Sequence, residues 1–114
     1  MENCIFCKII KGDIPSSKVY EDESVFAFRD INPQAPVHVL IVPKKHAANV
    51  LELCEEDEKL LGHIQLVAGE IATTLGVSES GFRIMSNCGP DACQSVQHLH
   101  YHLLGGTQMS EKMV

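Results

Sequence analysis

The chain has 114 residues, 45% of them hydrophobic, which is enough for one core and a single domain over residues 1–114. A net charge of −6 argues against a broad nucleic-acid-binding face, although a small phosphorylated ligand needs only a local site. There is no apolar run of the ~18 residues a membrane span needs, and Met1-Glu2-Asn3-Cys4 has neither a basic nor an apolar export region. A soluble, cytoplasmic protein is therefore expected.

Five cysteines is an odd count, and Cys54, Cys88 and Cys93 show no framework spacing, so reduced thiols are expected. Cys4-Ile5-Phe6-Cys7 opens the chain and runs into a short helix closed by Gly12. C-x2-C is half of a zinc site, a redox pair, or two small buried thiols. No second C-x2-C follows, and no βαβ pattern favours the redox reading. After the connector Ile14–Ser17, Lys18–Glu21 and Ser24–Arg29 read as a hairpin around Asp22-Glu23. The loop from Asp30 to Pro36 carries two prolines and a lone acid. Val37–Val42 is almost continuously apolar, as a central strand covered on both faces should be, with His38 as its one polar interruption.

Pro43-Lys44-Lys45-His46 leads to a helix start near Asn49. The main helix is expected from about Cys54 to Leu75, with Leu60, Ile64, Val67, Ile71 and Leu75 on one stripe. Glu55-Glu56-Asp57-Glu58 suits the positive end of its dipole and reads as a helix start, not as a metal site. Gly62 and Gly69 would admit the close approach of another backbone. Gly81–Ser86 is the next strand, and the loop Asn87–Cys93 feeds the final one. Residues 107–114 read as a surface extension. The order predicts α+β architecture, with an antiparallel sheet and helices mostly on one face.

The most informative stretch is Gln94-Ser95-Val96-Gln97-His98-Leu99-His100-Tyr101-His102-Leu103-Leu104-Gly105-Gly106. In a strand His98, His100 and His102 share one face, about 6.6 Å apart in succession and ~13 Å end to end. Three histidines across that span do not converge on one ion, so at least one has another task. An imidazole with one nitrogen held by a carbonyl can attack phosphorus through the other, with neighbouring histidines and Ser95 donating to phosphoryl oxygens or the leaving group.

The run H-φ-H-φ-H-φ-φ resembles the signature of the histidine triad (HIT) superfamily. Phe28–His38, Val42–His46 and Gln94-Ser95-Val96 extend the likeness to its nucleotide-binding branch, bacterial zinc-containing type. The resemblance implies a HIT-like fold: a five-stranded antiparallel sheet, one long and one or two short helices, and a sheet continued across a homodimer. It implies hydrolysis of purine nucleoside phosphoramidates (AMP or GMP amines, with acyl-adenylates as further substrates) through a nucleotidyl-histidine intermediate on His100, with no metal needed for the chemistry.

In that likeness His102 and His38 complete the polar cluster at the phosphate, and Ser95 stands near the leaving group. Asp30 meets the ribose, while Ile14, Phe28 and Ile31 form the base slot. Asn87, Cys93, Gln94 and Ser95 line the sugar-phosphate. Cys4, Cys7, His46 and His98 become a closed structural Zn2+ site, which frees His100. Two departures stand out: Ala92-Cys93 where many members of the branch have glycine, and a tail without the tryptophan-proline ending of animal members. A dinucleoside polyphosphate hydrolase, and a nucleotide-binding or scaffolding module with incidental hydrolysis, are the alternative readings.

Overall fold

The computed structural model describes residues 3–113; Met1, Glu2 and Val114, the last residue of the expected surface tail, lie outside it. Five strands form one antiparallel sheet in the order β1-β2-β3-β5-β4, with β1 Lys18–Glu21, β2 Val25–Arg29, β3 Val37–Pro43, β4 Phe82–Met85 and β5 Tyr101–Gly105. Helix α1 spans Ile5–Lys11 and helix α2 spans Glu58–Thr74. Gly12, at φ +87°, ends α1 in the left-handed conformation that glycine adopts without steric cost.

The period-2 alternation of the strands sorts side chains onto two faces. Val25, Ala27, Val39, Ile41 and Leu103 point one way and pack on Ile64, Val67, Ala68, Ile71 and Ala72 of α2, making the main core. Phe26, Phe28, Leu40 and Val42 point the other way and are covered by Phe6 and Ile9 of α1. His38, one residue from Val39 on β3, and His102, one residue from Leu103 on β5, belong to this second, thinly covered face.

The sheet was expected to include the whole histidine run, but the regular strand begins only at Tyr101. The backbone groups before it are engaged elsewhere: Leu99 N–H donates to Ala47 O at 2.7 Å, and the carbonyl of His100 accepts from Ser86 Oγ at 3.0 Å. Those bonds take the place of ladder pairing at Leu99 and His100, and the chain bends at Val96–His98 before the strand begins. The long helix also starts later than Cys54. Glu55–Asp57 form a 3-10 turn in which the Asp57 carboxylate accepts from the Cys54 N–H at 3.0 Å and from Lys45 Nζ at 2.8 Å. The acidic run thus caps and anchors a helix start, as its composition suggests.

The hairpin tip is organised by one carboxylate. Asp22 Oδ1 accepts from the N–H groups of Ser24 and Val25, both at 2.9 Å, while Oδ2 meets Tyr20 Oη at 2.7 Å and His63 Nε2 of α2 at 2.6 Å. Burial works against that charge. The four donors outweigh it and hold the Asp22 carboxyl well below the usual carboxylate range. The same bond to Asp22 pushes the Tyr20 hydroxyl up to about 12.

Candidate functional site

Two histidine clusters lie side by side on the α1 face. In the first, the helical turn of α1 carries Cys4 and Cys7, the segment after β3 carries His46, and the approach to β5 carries His98. Nδ1 of His98 is 3.4 Å from Cys4 Sγ, 3.6 Å from Cys7 Sγ and 3.1 Å from Nδ1 of His46, which is 3.4 Å from Cys7 Sγ. Tetrahedral zinc, with bonds of ~2.3 Å to sulfur and ~2.05 Å to nitrogen, would separate its ligands by about 3.4 Å (N to N) and about 3.6 Å (S to N).

The tautomer suits the same purpose. Nε2 of His98 lies 2.8 Å from the Pro43 carbonyl, to which it can only donate, so its lone pair sits on Nδ1. Burial holds His98 below the ordinary imidazole range and keeps it neutral, as a ligand must be. Burial, reinforced by Cys4, pushes the Cys7 thiol up, so a nearby cation is what would favour its thiolate. The four residues therefore fit a divalent, thiolate-loving metal.

The second cluster contains His38, His100 and His102. Ring centroids are 5.2 Å apart for His100 and His102 and 5.1 Å apart for His38 and His102. Nδ1 of His100 lies 2.7 Å from the His98 carbonyl and must donate to it. The Nε2 lone pair of His100 is left free of any described partner. Phe6 packs its ring edge-on against both His98 and His100, at 6.0 and 5.1 Å, so α1 braces the two clusters together. Asp30 Oδ2 lies 3.4 Å from Nε2 of His38.

The other residues singled out in the sequence are distributed around these clusters. Phe28 is buried beside Phe6 at 5.5 Å, and Ile14 packs against the same apolar group. Ile31 stands at the rim, 99% exposed. Asn87 follows β4, and Cys93 has φ +60°, the left-handed conformation that is strained for a residue with a Cβ. Ser95, with Asn3, Cys4, Ile5, His46, Val96 and Gln97, lines a cleft of about 750 Å3 on the metal-cluster side.

Gln94 has its side-chain amide engaged by the backbone. Its Oε1 accepts from Gly89 N–H at 3.0 Å, and its Nε2 donates to Ala48 O at 2.6 Å and Val96 O at 3.0 Å. Its amide staples the loop on which Cys93 and Ser95 sit. Three contributors escaped the sequence reading: the backbone N–H of Gln34, Phe6, and the Pro43 carbonyl. Only Phe6 had a signal, as one of the two apolar residues held inside C-x2-C.

A five-stranded sheet with histidines converging on its α1 face defines a class, and comparison with known proteins gives the same answer. A family model described as HIT domain matches residues 11–109. A curated relative, the 14 kDa zinc-binding protein of Zea mays, is 55% identical over 108 residues, 93% of this chain and 84% of that protein. A solved HIT family hydrolase from Clostridium thermocellum superposes with a TM-score of 0.96 at 54% identity, covering 100% of this chain and 99% of its own. Another, from Legionella pneumophila, gives 0.94 at 47% identity, covering 96% and 98%. The chain belongs to the HIT family. The solved relatives named here are hydrolases, and this chain shares their fold over nearly its full length.

Proposed function

We propose that the protein is a purine nucleoside phosphoramidase in which His100 is the nucleophile. The observation that carries this reading is the 2.7 Å bond between Nδ1 of His100 and the His98 carbonyl. It fixes the proton on Nδ1 and leaves Nε2 unprotonated, with its lone pair available to phosphorus. In the first step the Nε2 lone pair forms a bond to phosphorus while the P–N bond to the amine breaks, and the amine departs with a proton passed from the Ser95 hydroxyl, which the attacking water restores in the second step. The imidazolium so formed keeps its Nδ1–H on the carbonyl, which stabilises its charge. Water then attacks phosphorus, the His100–phosphorus bond breaks, and a nucleoside monophosphate is released.

In the same proposal His102 and His38 surround the phosphoryl group, and Ser95 donates near the leaving group. Asp30 takes the ribose hydroxyls. Phe28, Ile14 and the exposed Ile31 enclose the base, Asn87 and Cys93 line the sugar-phosphate, and Gln94 supports that lining by holding the loop. Cys4, Cys7, His46 and His98 bind one structural zinc ion, which supplies a rigid tie between α1 and the approach to β5 and takes no part in the chemistry.

The active form is a homodimer. Two observations support that: β4 lies at an edge of the sheet, and no other described part of the fold packs where a Cβ at Gly62 or Gly69 would stand, with Leu66 76% exposed between them. None of the described helices is long and apolar enough to cross a membrane.

The test is stereochemical. Two successive in-line displacements return phosphorus to its original configuration, so a phosphorus-chiral nucleoside phosphoramidate should be hydrolysed with retention. Inversion would mean direct attack by water and would exclude the covalent intermediate.

A further inference from the structure

Nε2 of His38 and Nδ1 of His102 face each other at 2.9 Å, and the distance alone does not say which nitrogen carries the proton. A third group decides it. The backbone N–H of Gln34 donates to Nδ1 of His38 at 3.0 Å. A ring nitrogen that accepts a hydrogen bond holds no proton, so neutral His38 is protonated on Nε2. That proton goes to the nearer acceptor, Nδ1 of His102, in preference to Asp30 Oδ2 at 3.4 Å. His102, accepting on Nδ1, must then carry its own proton on Nε2. The opposite arrangement would set a His38 Nδ1–H against the Gln34 N–H, two donors with no acceptor between them, on a histidine that is 5% exposed.

We infer that the backbone N–H of Gln34 is a positioning group: acting through His38, it commits His102 to the tautomer whose Nε2–H is a neutral hydrogen-bond donor for the substrate's phosphoryl or leaving group. The acceptor named in this inference rests on the proposed function; the order of protons along the chain does not. Burial depresses the basicity of both rings, and His102, also facing His100 and His38, falls to about 4. Near neutral pH His102 is therefore uncharged, and its tautomer decides whether it can donate at all.

The relay also excludes a second metal. Asp30, His38 and His102 offer ligand atoms within 4.8 Å of one another, a two-histidine, one-carboxylate set. With Nδ1 of His38 occupied by Gln34, however, Nε2 has no lone pair for an ion. The loop is built to hold this bond. Asp30 N–H donates to the His38 carbonyl at 3.0 Å, Asn32 N–H to Asp30 Oδ1 at 2.8 Å, and Gln34 Nε2 to Asn32 O at 3.1 Å.

The deciding measurement is a long-range 1H–15N spectrum of the imidazoles in the full-length, metal-loaded protein at pH 7. Both His38 and His102 should show a protonated Nε2 and a bare Nδ1; a protonated Nδ1 on either ring overturns the relay. Gln34→Pro, which removes the N–H, should leave His102 a mixture of tautomers and lower kcat on a nucleoside phosphoramidate about tenfold with KM nearly unchanged. Gln34→Ala keeps the N–H and should preserve both tautomers. If His102 remains wholly Nε2-protonated in Gln34→Pro, Gln34 does not set it. A wrong tautomer beside a nucleotidyl adduct still formed on His100 would defeat this inference alone. A correct tautomer without an adduct would defeat the proposed function alone.

Discussion

Four of the imidazoles form two pairs, His98 with His100 and His38 with His102, whose ring nitrogens are tied in opposite ways. Carbonyls hold His98 and His100: Pro43 O takes the Nε2 proton of the first and His98 O the Nδ1 proton of the second. Each ring thus presents a lone pair, to a metal in one case and to an electrophile in the other. His38 is held by an N–H instead, that of Gln34, and so it and His102 present protons. The chemistry of a histidine is set less by the residue than by whether its far nitrogen meets an acceptor or a donor.

The contrast can be broken at either cluster, and the largest effect should come from the lone pair on His100. His100→Ala should lower kcat for a nucleoside phosphoramidate on the order of 10⁴-fold or more while the fold survives, as steady-state kinetics and circular dichroism would show. At the metal cluster, Cys7→Ser or prolonged chelation should abolish zinc, found at about one ion per chain in the parent by elemental analysis. The loss of stability should be about 4 kcal/mol for a metal supplied at a thousandfold over its Kd. Unchanged denaturation after complete metal removal would contradict the fit argued from the ligand distances.

Away from both clusters, Asp22→Asn removes the charge that gathers Tyr20, His63 and two backbone N–H groups, and should cost about 1–2 kcal/mol at neutral pH. The sign with pH follows from the depressed carboxyl of Asp22. Its contribution is complete above the unfolded carboxylate value near ~4 and is lost as pH falls towards the folded value, so the variant should be less acid-sensitive than the parent. Urea denaturation at pH 7 and pH 3 would show the difference narrowing. The smallest effect is expected at Cys93, whose left-handed backbone a glycine would relax. Cys93→Gly should gain about 1 kcal/mol at most.

Much of this was written in the chain where side chains alternate or repeat. The 3.6-residue stripe of Ile64, Val67 and Ile71 became the covered face of α2, and the apolar run Val37–Val42 became the central strand β3. The C-x2-C spacing alone left a zinc half-site, a redox pair and two buried thiols open; the resemblance to the histidine triad family joined His46 and His98 to Cys4 and Cys7, and the structure brings the four together. What stayed hidden depends on backbone direction. Nothing in the identity of Gln34 says that its N–H points at His38, because any residue but proline could supply it. Gln94 was legible as a polar residue near the site, but not as one whose amide is spent on Gly89, Ala48 and Val96. The early end of the ladder before Tyr101 was equally hidden, since it follows from Ala47 and Ser86 taking backbone bonds across the fold.

The most direct test of the central claim is to quench the enzyme within a single turnover of a nucleoside phosphoramidate and map the modified residue by mass spectrometry at a pH that preserves phosphoimidazoles. A nucleoside monophosphate bound covalently to His100, formed and discharged at rates compatible with kcat, is the result expected from a lone pair held on Nε2. Normal turnover with the adduct on another residue would contradict it.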